Sequence, residues 1–71
     1  MASEEVSNRL YELRARHRWT QQDLATKVGV TRQTIIAIEK GQYNPSIALA
    51  LKIARALELP VEEVFWLQDE Q

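Results

Sequence analysis

Residues 20–40 read TQQDLATKVGVTRQTIIAIEK, and their spacing decides the fold. Thr20 offers a hydroxyl to the unpaired backbone N–H groups of a helix start. Asp23, three residues on, can reach back to complete a capping box, and Trp19 and Leu24 stand where a hydrophobic staple would close it. The helix so begun is short, because Gly29 supplies the positive φ that ends a helix. Thr31 caps a further helix that runs through Ile35 and Ile38 to Lys40, and Gly41 stops it. Two short helices joined by Val28, Gly29 and Val30 must meet at a steep angle. That junction needs a residue free to take positive φ, which is Gly29. It also needs a small residue at the close approach, which is Ala25, and apolar inner faces, supplied by Leu24, Val28, Val30, Ile35 and Ile38.

Outward from this pair the pattern stays helical. Val6, Leu10 and Leu13 recur at i, i+4 and i+7, which predicts a first helix over residues 5–17. Asn44 and Pro45 cannot continue a helix, so residues 42–45 form a loop. Ser46 caps a fourth helix over residues 47–57, whose buried side is expected at Ile47, Leu51, Ala54 and Leu57. Pro60 suits a first helical turn, and Glu62 and Glu63 suit the positive end of the helix dipole, which predicts a fifth helix carrying Val61, Val64, Phe65 and Leu67. Residues 68–71 are expected to be a frayed tail. The sum is an all-α, compact five-helix arrangement in one domain over residues 1–71, with no repeat and no low-complexity linker.

Composition narrows the function classes. The 71 residues suffice for one thin core. Cysteine is absent and histidine occurs once, so disulfides and a cysteine-ligated zinc are excluded, no metal site is expected, and a reducing, cytoplasmic setting is implied. No apolar run approaches the length of a membrane span, and residues 1–6 do not have the character of a signal peptide. Two glycines leave no glycine-rich phosphate loop, and no nucleophile–base arrangement stands out, so neither an enzyme nor a cofactor is expected. Net charge is only −1, yet residues 9–44 carry +4 and residues 45–71 carry −3. A basic half set against an acidic half is a footprint of an anionic partner.

The paired helices over residues 21–40 make a helix-turn-helix, in which the second helix, about residues 32–40, enters the major groove of DNA. The run TQQDLATKVGVTRQTIIAIEKGQYNPS resembles the Cro and phage-repressor (Xre-like) helix-turn-helix family. So do the following ALALKIARALEL and the terminal PVEEVF, and the likeness covers about residues 7–67. The resemblance implies a lambda-repressor-like DNA-binding fold and a transcriptional regulator that binds double-stranded DNA as a homodimer, with no small-molecule ligand evident.

With Ile35 and Ile38 turned inward, the outer face of the second helix carries Arg32, Gln33, Ile36, Ala37 and Lys40, with Thr31 and Thr34 at its entry. Gln pairs with adenine through two hydrogen bonds and Arg with guanine. Ile36 and Ala37 have two readings, contact with thymine methyls or partial burial against a neighbouring helix. Gln21 and Gln22 open the preceding helix, where free N–H groups favour a phosphate, and the resemblance implies a DNA contact at Gln21. Lys40, Tyr43 and Asn44 bracket the loop after the recognition helix and resemble positions that touch DNA, although Tyr43 also reads as a cover for the core. The resemblance further implies that Arg14 pairs with Glu39, a structural ion pair holding the first helix to the third.

The hydrophobic end of the chain, Val61, Val64, Phe65, Trp66 and Leu67, is the expected dimer surface, because an exposed aromatic patch marks an interface. The competing assignment puts Phe65 and Leu67 in the core. The function implied is sequence-specific binding to an inverted-repeat operator, as a repressor acting by occupancy. The alternatives are an antitoxin of a toxin–antitoxin pair and a protein-interaction module on the same fold.

Overall fold

A computed structural model describes residues 5–68. Its elements are β1 (Val6–Asn8), α1 (Leu10–Arg16), α2 (Gln21–Val28), α3 (Arg32–Glu39), α4 (Ile47–Leu57), a 3-10 turn (Val61–Glu63) and β2 (Phe65–Leu67).

The three central helices begin where their caps are written. Thr20 Oγ1 accepts the Asp23 N–H at 3.0 Å, while an Asp23 carboxylate oxygen accepts the Thr20 N–H at 2.9 Å, so the capping box is closed in both directions. Thr31 accepts the Thr34 N–H and Ser46 the Leu49 N–H, satisfying donors that each helix leaves free. At the other end of α2, Gly29 sits at φ +79°, and Ala25 O accepts both the Gly29 and the Val30 N–H. This is the left-handed exit that a side chain resists.

Each helix turns its apolar stripe to one core of Leu10, Leu13, Leu24, Ala25, Val28, Ile35, Ile38, Leu49, Ile53, Ala54, Leu57 and Val64. α2 packs chiefly against α3 and α4. Trp19 and Val30 lie partly buried against this cluster. No described helix is long and apolar enough to cross a membrane.

Three expectations are corrected. The fold is not all-α, and among the described residues there is no fifth α-helix: four α-helices are joined by a 3-10 turn and a two-stranded antiparallel sheet. In that sheet Val6 pairs with Leu67, Ser7 with Trp66 and Asn8 with Phe65. Val6, Phe65 and Trp66 are residues that favour a pleated surface, and among the described residues β1 and β2 make up the whole sheet. The first helix therefore starts at Leu10 and not at residue 5.

The buried side of α4 is also rotated from the expected one. Leu49, Ile53, Ala54 and Leu57 face the core, while Ile47 is 81% exposed and Leu51 51% exposed. In a helix reading IALALKIARAL nearly every stripe is apolar, so periodicity alone does not select one. Finally, Gln68 is not frayed. Its backbone N–H donates to Glu5 O at 2.9 Å, and its side-chain oxygen accepts from the Ser7 hydroxyl. The rest of the expected tail, residues 69–71, lies outside the described residues.

A Cβ built on Gly29 would meet no atom within 4 Å, so substitution there costs conformation and not space. Gly29→Ala is expected to lower stability by about 1 kcal/mol, and Gly29→Asn by less, because Asn tolerates the left-handed region. Urea unfolding checks this; an alanine variant as stable as the wild type would mean that φ at this position is no constraint.

Candidate nucleic-acid interface

α3 spans eight residues and buries only Ile35 and Ile38. The helical period then places Gln33, Ile36, Ala37 and Lys40 in one stripe on the side away from the core, with Arg32 at its edge. Arg32, Gln33 and Lys40 are exposed, and Ile36 and Ala37 are half-buried. Thr31 is exposed, and its hydroxyl lies 3.1 Å from that of half-buried Thr34. The stripe thus offers a bidentate amide, a guanidinium and an ammonium around two small apolar residues. Its chemistry suits base edges and thymine methyls in a groove wide enough for a helix.

The flanks differ. Gln22 is exposed at the first turn of α2, its amide donating to Thr26 Oγ1 at 3.1 Å. Gln21 is half-buried and donates to Glu39 Oε1 at 3.2 Å, so its side chain is already engaged within the fold. Tyr43 and Asn44 are both exposed beyond the end of α3, so Tyr43 does not cover the core.

Behind the stripe lies a buried charge. Arg14, on α1, places Nε 2.7 Å from one Glu39 carboxylate oxygen and a terminal nitrogen 3.3 Å from the other. Its remaining terminal nitrogen donates to Trp19 O at 2.8 Å. The two side chains are only 10% and 6% exposed. A guanidinium and a carboxylate withdrawn from water are tolerable only when their hydrogen bonds are made, and here Arg14, Gln21 and the Trp19 carbonyl make them. One pair therefore fixes α1, the α1–α2 junction, the first turn of α2 and the end of α3.

Asn8, to which the sequence pattern gave no role, also reaches this region. Its side-chain amide donates to Ile38 O in the last turn of α3 at 3.0 Å. The only signal was an asparagine two residues before a helix start.

Of the residues expected at a dimer surface, Val64 is fully buried and belongs to the core of this chain, which corrects that assignment. Val61 and Phe65 are half-buried against the core, while Trp66 and Leu67 are exposed. Arg9 lies over the Trp66 ring at 5.0 Å.

Residues 10–64 match the helix-turn-helix family model. The chain is 54% identical over 65 residues to an HTH-type transcriptional regulator of Bacillus subtilis strain 168, YgzD, covering 92% of this chain and 98% of that one. It is 34% identical over 55 residues to the antitoxin HipB of Escherichia coli O6:H1, covering 78% of this chain and 58% of HipB. Among solved structures it is similar to the restriction-modification controller protein C.AhdI from Aeromonas hydrophila. There the TM-score is 0.73 at 38% identity, over 78% of this chain and 83% of that one.

The buried pair yields a stability prediction. Arg14→Met or Glu39→Leu alone strands one charge and is expected to cost about 3 kcal/mol, whereas the double variant should recover a large part of the summed loss. A double-mutant cycle by urea unfolding measures this; purely additive losses would show that the pair is not coupled.

Proposed function

The chain belongs to the helix-turn-helix family of the Cro and phage-repressor (Xre-like) type, a family of DNA-binding transcriptional regulators, and on that footing we propose that it represses transcription by occupying an inverted-repeat operator as a homodimer. The observation that carries the reading is the outer stripe of α3, which is polar and cationic at Arg32, Gln33 and Lys40. Buried Glu39 anchors the same helix from behind.

The roles follow from chemistry. Gln33 presents an amide that matches adenine N6 and N7, and Arg32 reads guanine or holds a phosphate. Ile36 and Ala37, half-buried, close on thymine methyls. Gln22, Thr31 and Thr34 meet phosphates near the helix starts, Lys40 and Tyr43 do so beyond the end of α3, and Asn44 there reaches a base edge. Gln21 acts there through its hold on Glu39 as much as through DNA. Two acidic side chains of α2 and α3 are engaged within the fold, Asp23 in its capping box and Glu39 with Arg14. Neither therefore offsets Arg32 and Lys40 on the outer stripe.

One such stripe reads too few base pairs for selectivity. A symmetric partner doubles them, with half-sites ~34–36 Å apart, one turn of the duplex. The described residues measure 37 × 22 × 20 Å, a size at which two copies side by side reach successive major grooves. Large aliphatic and aromatic side chains stand exposed and available to such an association, Ile47 and Leu51 on α4 and Trp66 and Leu67 on β2. Withdrawing a few such side chains from water contributes several kcal/mol toward association, at roughly 1.5–3 kcal/mol for each one fully buried.

Selection from a randomised duplex pool is expected to return an inverted repeat with about one-turn spacing, bound with a steep salt dependence. Gln33→Ala should relax the preference at one position of each half-site by about 1–3 kcal/mol. A pool that yields no enriched sequence at low salt would sink the DNA-reading role.

The homodimer has its own test. Ile47→Glu combined with Leu67→Glu should leave the circular dichroism spectrum helical while sedimentation shifts to the monomer. Wild-type sedimentation as a monomer at every concentration, with or without the operator, would remove the dimer from this reading.

A further inference from the structure

We propose that Asn8 is a positioning residue for the DNA-reading end of α3: one side-chain amide ties the terminal sheet to the last turn of the recognition helix. The contacts assigned to Lys40, Tyr43 and Asn44 then depend on it. The inference rests on the DNA-reading role given above and deepens it.

The geometry is specific to an amide. The Asn8 nitrogen donates to Ile38 O at 3.0 Å, and its oxygen accepts the Leu10 N–H at 2.9 Å. One side chain thereby caps the first residue of α1 and grips the end of α3. The Ile38 carbonyl also accepts the Gly41 N–H at 3.0 Å, so both of its lone pairs are used. The last turn of a helix is where its backbone is least constrained, since its carbonyls have no partner further along. Here that turn is held from outside the helix.

The anchor itself is fixed. Asn8 pairs with Phe65 across the sheet, and the next residue, Arg9, donates its N–H to the carbonyl of fully buried Val64 at 3.2 Å. The end of α3 is thus referred to both termini of the domain at once. Beside the contact, an open groove is lined by Glu5, Ser7 and Asn8 from the β1 side and by Glu39, Lys40 and Asn44 from the end of α3. Two of the residues assigned to DNA therefore sit opposite the anchor. Contacts that must meet a groove edge tolerate little displacement, and their supporting residues decide whether they do.

Asn8→Asp keeps the acceptor for Leu10 N–H and removes the donor to Ile38 O, and it adds one negative charge, whose direct effect on DNA affinity the uncharged Asn8→Ala separates. A carboxylate at the start of α1 also suits the helix dipole, so folding is expected to survive. Asn8→Ala, which removes both bonds, serves as the second variant should the aspartate fail to fold. In the free protein, amide exchange at Lys40, Gly41 and Gln42 should quicken about tenfold, the cost of one hydrogen bond, while α2 amides stay unchanged. On the selected duplex, affinity should fall by a similar factor. Preference should be lost at the base pairs sensitive to Asn44→Ala and kept at those sensitive to Gln33→Ala, a split that general loss of stability would not produce. Unchanged exchange, or a uniform loss across all base pairs, overturns the inference. A wild-type chain that selects no duplex overturns the DNA-reading role alone if exchange still quickens in Asn8→Asp, and overturns the anchor as well if it does not.

Discussion

The Arg14–Glu39 pair is the constraint on which the arrangement of helices depends. α2 and α3 meet through a turn at Gly29, and their apolar faces set how closely they approach, but hydrophobic contact alone is non-directional. A forked guanidinium set against a carboxylate is directional. It accepts one orientation of α1 against α3 and penalises the others by leaving a charge buried without a partner. Gln21 and the Trp19 carbonyl complete the shell, so the pair also fixes the start of α2. In a chain of 71 residues with a thin core, such a device supplies uniqueness more than net stability.

The outer face of α3 gains from the same device. Because Glu39 is neutralised from behind, the helix that carries Arg32, Gln33 and Lys40 shows no free carboxylate to an incoming polyanion. The charge asymmetry along the chain follows the same division, since seven of the nine basic residues fall in residues 9–44, which include α1 to α3, while residues 45–71, which include α4, the 3-10 turn and β2, carry −3.

What was legible in the sequence was local. Thr20, Asp23, Thr31 and Ser46 wrote three helix starts within their own few residues, and Gly29 wrote a stop, because caps act over three or four positions. The stripe of α3 was legible for the same reason, with polar residues on one side and two isoleucines on the other. Two kinds of information were not local. Strand pairing between Val6–Asn8 and Phe65–Leu67 joins opposite ends of the chain, and Val6, Leu10 and Leu13 imitate a helical face by spacing alone. The rotation of α4 was hidden by excess: with Ile47, Leu49, Leu51, Ile53 and Leu57 all apolar, the core could have claimed either side. The candidate site was legible in its exposed residues and, through the family resemblance, in the Arg14–Glu39 support, but not in Asn8, which works through a backbone carbonyl thirty residues away.

The sheet that joins Val6 to Leu67 also sets an order of events in time. Helix caps and the α2–α3 turn close over short loops, which form quickly and at small entropic cost. The sheet must close a loop that contains nearly the whole chain, and it gains only three residue pairs when it does. Opening of the ends, with the helices intact, is therefore expected to cost less than global unfolding, and the tie of Asn8 to α3 is expected to open with them.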